Sequence, residues 1–294
     1  YFSYRVAGQV WNQSTAWIAG ISWIILISLA AGGQAVISEH LALLFLGAGF
    51  TILVMFPQGL ISFLSVGVLI TMAVLVRLNL AYTEVCLGLY FLIRIFLAHD
   101  RKGDNKSDQN LNIQNINTPK RQRILEFFAF SMGALGTLIL VILPYILTQN
   151  LPLLYTGLIR ASLSYTEQHS LFSVLWSQFQ KVIFLRPSVA AIVLSVVIFW
   201  ALGWHGRWVW QHRQALSSSQ FHFYTLITIF ILSIELSIIR TGVFYSHYTI
   251  QFLFFISLLI AKPIQQIISH SVINPKSKSL PPWLNPYLKF SLIC

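Results

Sequence analysis

Residues 39–98 read EHLALLFLGAGFTILVMFPQGLISFLSVGVLITMAVLVRLNLAYTEVCLGLYFLIRIFLA, and their only charged members are Glu39, Arg77, Glu84 and Arg94. Three apolar runs follow one another here, 39–56, 59–76 and 79–98, joined by little more than Pro57-Gln58 and Arg77-Leu78. Each run approaches the ~20 apolar residues that a helix needs to cross a bilayer. Links this short suit antiparallel neighbours packed side by side. Working outward, 15–32 precedes them and 124–147, 183–204, 221–239 and 248–268 follow. The expected fold is therefore all-α, a polytopic transmembrane helix bundle of about eight spans. Composition agrees: 56% of the 294 residues are hydrophobic, 9% are charged and the mean hydropathy is +0.71. A soluble domain carries about 25% charge, so no water-facing surface of the usual kind can be built from this chain.

Between the runs lies HDRKGDNKSDQNLNIQNINTPKRQR (99–123), too polar to support a core. It divides the chain into an N-terminal bundle, 1–98, a loop, 99–123, a C-terminal bundle, 124–268, and a tail, 269–294. Lys and Arg are retained on the cytoplasmic side of a membrane. With the loop placed inside, both chain ends fall inside as well. Of the 19 Lys and Arg residues, 14 then lie on that side, and Arg77, Arg160, Lys181, Arg186 and Arg240 lie on the other. The net charge of +11 is thus an orientation signal, and nucleic acid is not an expected partner; membrane lipids are. Cys86 and Cys294 support neither a disulfide framework nor a thiolate metal site.

On this topology the polar residues that are costly at membrane depth gather on the outer face. Glu39 and His40 open one span, Arg77 and Asn79 occupy a turn, Glu84 lies about one helical turn inside, and Glu235 and Arg240 end another span. The longest outer segment, 148–181, adds Arg160, Tyr165, Glu167 and His169. Within it Leu171, Leu175 and Phe179 repeat at a spacing of four, with Ser170, Ser173 and Ser177 on another face, so an interfacial amphipathic helix is expected. Intramembrane charges usually face a cavity or a partner. The plainer alternative is that Glu84 pairs with Arg77 and Glu235 with Arg240, the rest capping helix ends.

The strings GQAVISEHLALLFLGAGF (33–50), GVLITMAVLVRLN (67–79), FFAFSMGALGTLILVILPYILTQNLPLLYTGLI (127–159) and RTGVFYSHYTIQFLFFISLLIA (240–261), in this order, resemble the bacterial GT-C glycosyltransferases, the superfamily of protein O-mannosyltransferase-like and aminoarabinose-transferase-like enzymes. The resemblance implies a membrane enzyme, in a bacterial inner membrane, that moves a sugar from a polyprenyl-phosphate carrier to a lipid, glycan or protein acceptor on the extracytoplasmic side. Its implied substrate-binding residues are Glu39, where the family places an acidic residue at the start of this span, with Arg77, Arg160, Arg240, Tyr245, His247 and Tyr248. Chemistry points the same way, since the leaving phosphate gains negative charge and a guanidinium fork fits its oxygens. An acceptor hydroxyl also needs a base, a carboxylate or His.

The departure from the family concerns the catalytic aspartate, which such enzymes carry in the loop after the first span. Here Asp100, Asp104 and Asp108 all fall in the cytoplasmic loop. The opening YFSYRVAGQVWNQSTAWIAG looks like the family's connector before a middle span, so the catalytic loop is expected upstream of Tyr1 and this chain alone to be inactive. No metal-ligand spacing is present, and the cofactor is unknown, a divalent metal being left open for a full-length enzyme. His205, His212 and His222 are expected at the inner interface. Two other functions compete: an O-antigen polymerase or ligase, for which the outer segment is short, and a secondary transporter, which would place its polar groups near midspan and often shows internal repeats.

Overall fold

A computed structural model describes residues 1–29, 38–96, 119–160, 173, 189–212, 218–241 and 250–273. Among them every regular element is helical, and no strand occurs. In chain order the helices are α1 (Phe2–Val10), α2 (Gln13–Leu29), α3 (Ser38–Met55), α4 (Leu60–Val76), a 3-10 turn (Leu78–Leu80), α5 (Ala81–Phe96), α6 (Lys120–Leu147), α7 (Leu151–Leu154) with a π-helical turn (Tyr155–Arg160), α8 (Val189–His212), α9 (Ser218–Thr241) and α10 (Ile250–Ile273).

Five helices are long and apolar enough to cross a membrane: Ser38–Met55, Leu78–Phe96, Lys120–Leu147, Gln220–Ile239 and Ile250–Ser269. Two shorter apolar helices, Gln13–Ser28 and Leu60–Val76, accompany them. Large apolar side chains also cover much of the outside, among them Ile61, Phe128, Leu140 and Trp210. An apolar exterior over an apolar core is the surface that lipid accepts and water does not. The chain is a multi-pass membrane protein.

Local sequence explains the breaks. Pro57-Gln58-Gly59 closes the α3–α4 hairpin, with Gly59 at φ +118°, a conformation that side chains disfavour. At α2 the side chain of Asn12 accepts hydrogen bonds from the Thr15 backbone N–H and hydroxyl, both at 2.9 Å, which satisfies a helix-start donor. The opening residues, read above as a connector, form α1, which buries Ser3, Val6, Ala7 and Val10. It runs antiparallel to α2, with Phe2 beside Gly47 in the middle of α3.

Two aromatic clusters hold the bundle. Phe50 of α3 is fully buried and meets Phe223, Phe230, Phe254 and Phe255 edge-on, with centroids 5.2–6.0 Å apart. Phe91 of α5 meets Phe63 of α4 and Phe130 of α6, both at 5.1 Å. Such edge-to-face pairs contribute about 0.5–1.5 kcal/mol each beyond burial. The backbones of α4 and α6 approach closely. A Cβ on Gly67 would lie 2.1 Å from the Phe130 carbonyl oxygen, and one on Gly133 would lie 2.1 Å from that of Leu64. Small residues that admit a neighbouring backbone are the usual basis of helix contact inside lipid.

At one end of the bundle, Arg94 in the last turn of α5 pairs with buried Glu126 of α6 at 3.8 Å, and Arg123 donates to the Arg94 carbonyl at 2.8 Å. Residues 97–118, the segment 161–188 apart from Ser173, and 274–294 lie outside the described residues. These include most of the expected cytoplasmic loop, the expected amphipathic helix and most of the tail.

Gly67→Leu is expected to abolish the α4–α6 contact, lowering the unfolding temperature in detergent by more than about 5 °C or preventing recovery of monodisperse protein. Gly136→Ala, where a Cβ meets nothing within 4 Å, serves as the control and should leave the melting curve in place.

Candidate functional site

Alternating helix directions put the start of α3, the α4–α5 turn, the end of α6, the end of α9 and the start of α10 at one end of the bundle. This is opposite the Arg94–Glu126 pair. At this Arg77 end, the 3-10 turn after Arg77 folds the guanidinium back toward α3. Its Nη2 lies 2.5 Å from Glu39 Oε1, and its Nη1 donates to Ser38 Oγ at 3.2 Å. The Ser38 hydroxyl donates in turn to Glu39 Oε2 at 3.3 Å. Both carboxylate oxygens of buried Glu39 are thereby engaged by neighbours one helix away or next in sequence.

This corrects the plainer pairing expected from sequence. Glu84 takes its hydrogen bond from Thr71 Oγ1 of α4 at 2.7 Å, and Arg77 turns to Glu39 instead. The reason is the extra 3-10 turn: it sets α5 so that position 84 looks across at α4, while Arg77 remains at the rim near the start of α3. On the next face of α5, Ser233 of α9 donates to Thr83 Oγ1 at 3.0 Å. The hydroxyls of Thr71, Thr83 and Ser233 are buried with half-buried Glu84 between α4, α5 and α9. Further polar groups are enclosed in the same half of the bundle: Ser237 Oγ and both amide atoms of Gln251 have no hydrogen-bond partner among the described residues. A buried polar group left so costs about 1–3 kcal/mol unless water or a ligand meets it.

The other expected site residues are distributed as follows. Arg240 is the penultimate residue of α9, at the Arg77 end. Arg160 ends the π-helical turn beyond α6 and stands exposed. Tyr245, His247 and Tyr248 lie outside the described residues. The structure thus joins Glu39 to Arg77 directly, and Arg160 ends a largely exposed segment that follows α6. Because Glu39 neutralises Arg77, the pair presents less positive charge to an anion than an isolated arginine would. Among the described residues no group of three His, Cys, Asp or Glu could hold a metal ion.

At the Arg94 end His205 is buried and His222 half-buried between helices, and each is bonded through both ring nitrogens. Sequence reasoning also passed over Thr71, Thr83 and Ser233, because a lone hydroxyl residue in an apolar run carries no signal until its helix neighbours are known.

Compared with protein-family models, with curated proteins and with solved structures, the chain matches none. What these residues do has to be argued from their chemistry.

The ion pair gives an asymmetric expectation. Arg77→Ala takes the cation from a buried carboxylate and should lower the unfolding free energy by about 3 kcal/mol. Glu39→Ala leaves a partly exposed arginine able to reach water and should cost about half as much. In chemical unfolding in mixed micelles, the double variant is expected to be more stable than Arg77→Ala alone.

Proposed function

We propose that this chain acts in a membrane glycosyltransferase reaction that moves a sugar from a polyprenyl-phosphate carrier to a lipid, glycan or protein acceptor on the extracytoplasmic side of a bacterial inner membrane. In this reading about eight helices span the bilayer, with an amphipathic helix in the outer segment and both chain ends cytoplasmic. The observation that carries the proposal is the ion pair of Glu39 with Arg77 at the end of the bundle where α9 also delivers Arg240.

Several features support it. A lipid-linked sugar phosphate approaches from within the membrane, so its site needs cations at the rim of an apolar bundle and polar groups just beneath. Arg240 supplies the first at the Arg77 end, and this reading draws further on Arg77, held by Glu39, and on Arg160, exposed beyond α6. Breaking the glycosidic bond leaves charge on the phosphate oxygens, and a preorganised guanidinium beside them lowers that barrier. Ser237 and Gln251 supply hydroxyl and amide groups of the kind that read sugar hydroxyls. Glu39 holds Arg77 in place as a positioning residue. The resemblance of 240–261 to the GT-C enzymes adds Tyr245, His247 and Tyr248 to the substrate side.

A second reading, a secondary transporter, is favoured by one feature. Glu84 sits inside a span among hydroxyls, the setting in which coupling ions and protons are handled.

The test is sugar transfer from a polyprenyl-phosphate donor by the protein in proteoliposomes. Arg240→Ala is expected to lower transfer by about 100-fold or more, the scale for losing one charge-stabilising group. Unchanged transfer would remove Arg240 from the site. Solute uptake without transfer, abolished by Glu84→Gln, would establish the transporter instead.

A further inference from the structure

A proline inside or just after a helix has no N–H to give to the carbonyl four residues before it. Inside lipid that carbonyl must be met by another part of the protein. Two such carbonyls occur at the Arg94 end, and both are met in the same way. Pro263 in α10 leaves the Leu259 carbonyl without its helical donor, and His205 Nε2 of α8 lies 2.6 Å from it. Pro57 after α3 does the same to Leu53, and His222 Nε2 of α9 lies 3.2 Å away. The carbonyl can only accept, so each Nε2 carries the proton and each Nδ1 offers a lone pair. A tyrosine hydroxyl meets that lone pair in both cases: Tyr224 of α9 at 2.8 Å from His205, and Tyr90 of α5 at 3.2 Å from His222. His222 and Tyr224 are two residues apart on α9. One short stretch of that helix therefore takes part in both relays.

The two sides of Pro263 differ in packing. From Ile250 to Ala261 nearly every α10 residue is buried, whereas none of 264–269 is. Lys262, just before the proline, donates across it to Gln265 Oε1 at 3.0 Å, and beyond it Ser269 donates to the Gln266 carbonyl at 3.0 Å, both local bonds.

We infer that Ile264–Ile273 is a hinged strap, pivoting at Pro263, and that the Tyr224–His205–Leu259 relay is the latch that sets its angle. The buried half of α10 is anchored in the aromatic core, so bending is confined to the proline, where one backbone bond is absent and a side chain of another helix replaces it. The Tyr90–His222–Leu53 relay holds α9 to α3 and α5, which gives the latch a fixed base. This inference is independent of the proposed transferase activity.

Paired nitroxide labels test it in nanodiscs, at Ile268 (50% exposed) on the strap and Leu202 (45% exposed) on α8, with both native cysteines replaced by serine. The parent should give one narrow distance distribution. His205→Leu removes the donor and should broaden it or add a second distance. His205→Gln, whose amide N–H can reach the same carbonyl, should keep it narrow. Adding Pro263→Ala to His205→Leu restores the N–H that Leu259 lacks and should return a single narrow distribution. A narrow distribution in His205→Leu overturns the latch. A broadening that both His205→Gln and the added Pro263→Ala leave in place overturns it too. Should His205→Leu not be recoverable as folded protein, failure of the added Pro263→Ala to restore folding counts equally against it.

Discussion

In an apolar surround every backbone N–H and C=O has to find its partner inside the protein, because no solvent will take its place. The helices answer most of that demand within themselves, and the places where they cannot are where the sequence becomes specific. Asn12 supplies an acceptor at the start of α2. His205 and His222 supply donors where Pro263 and Pro57 withdraw them. A histidine serves well here, since a neutral imidazole gives a proton at one nitrogen while accepting one at the other, and the carbonyl, which can only accept, selects which is which.

Packing follows a second consequence of the same surround. Lipid tails are as apolar as leucine, so helices gain little by merely hiding carbon from their surroundings. Contact quality decides instead, through the bare backbone approach at Gly67 and Gly133 and the edge-on rings around Phe50 and Phe91. These contacts fix α3, α4, α5, α9 and α10 closely enough that Glu39 and Arg77, far apart in sequence, can share an ion pair.

Much of the helix layout was legible in the sequence. Long apolar runs with few charges leave a strong signal, and Pro57, Arg77 and the polar 99–123 stretch mark where runs end. A helix occupies each of the eight runs, though five are both long and apolar enough to cross on those grounds alone. The gathering of Glu39, Arg77, Glu84 and Arg240 toward one end could also be read, since it needs only the alternation of helix direction. Partner choice could not. Glu84 lies closer in sequence to Arg77 than Glu39 does, and only the 3-10 turn at Leu78–Leu80 decides between them. The histidine relays had a usable clue: each proline names, four residues back, the carbonyl that will need a donor. Nothing in the sequence says which helix provides it. The burial of one face of α1 was likewise invisible, because nine residues are too few to stand out from a polar connector.

The two helices locked at Gly67 and Gly133 differ greatly in length. The 17 residues of α4 extend about 26 Å and the 28 of α6 about 42 Å, at 1.5 Å per residue. A long helix normally adapts to a bilayer by leaning, but the carbonyl-to-glycine contact ties the inclination of one to the other. Gly67 and Gly133 each lie near the middle of their helix, so α6 extends past α4 at both ends, its first turn carrying Lys120, Arg121 and Arg123. Where apolar helices of unequal length are tied together, the cost of mismatch with a bilayer depends on the thickness of the lipid beside each.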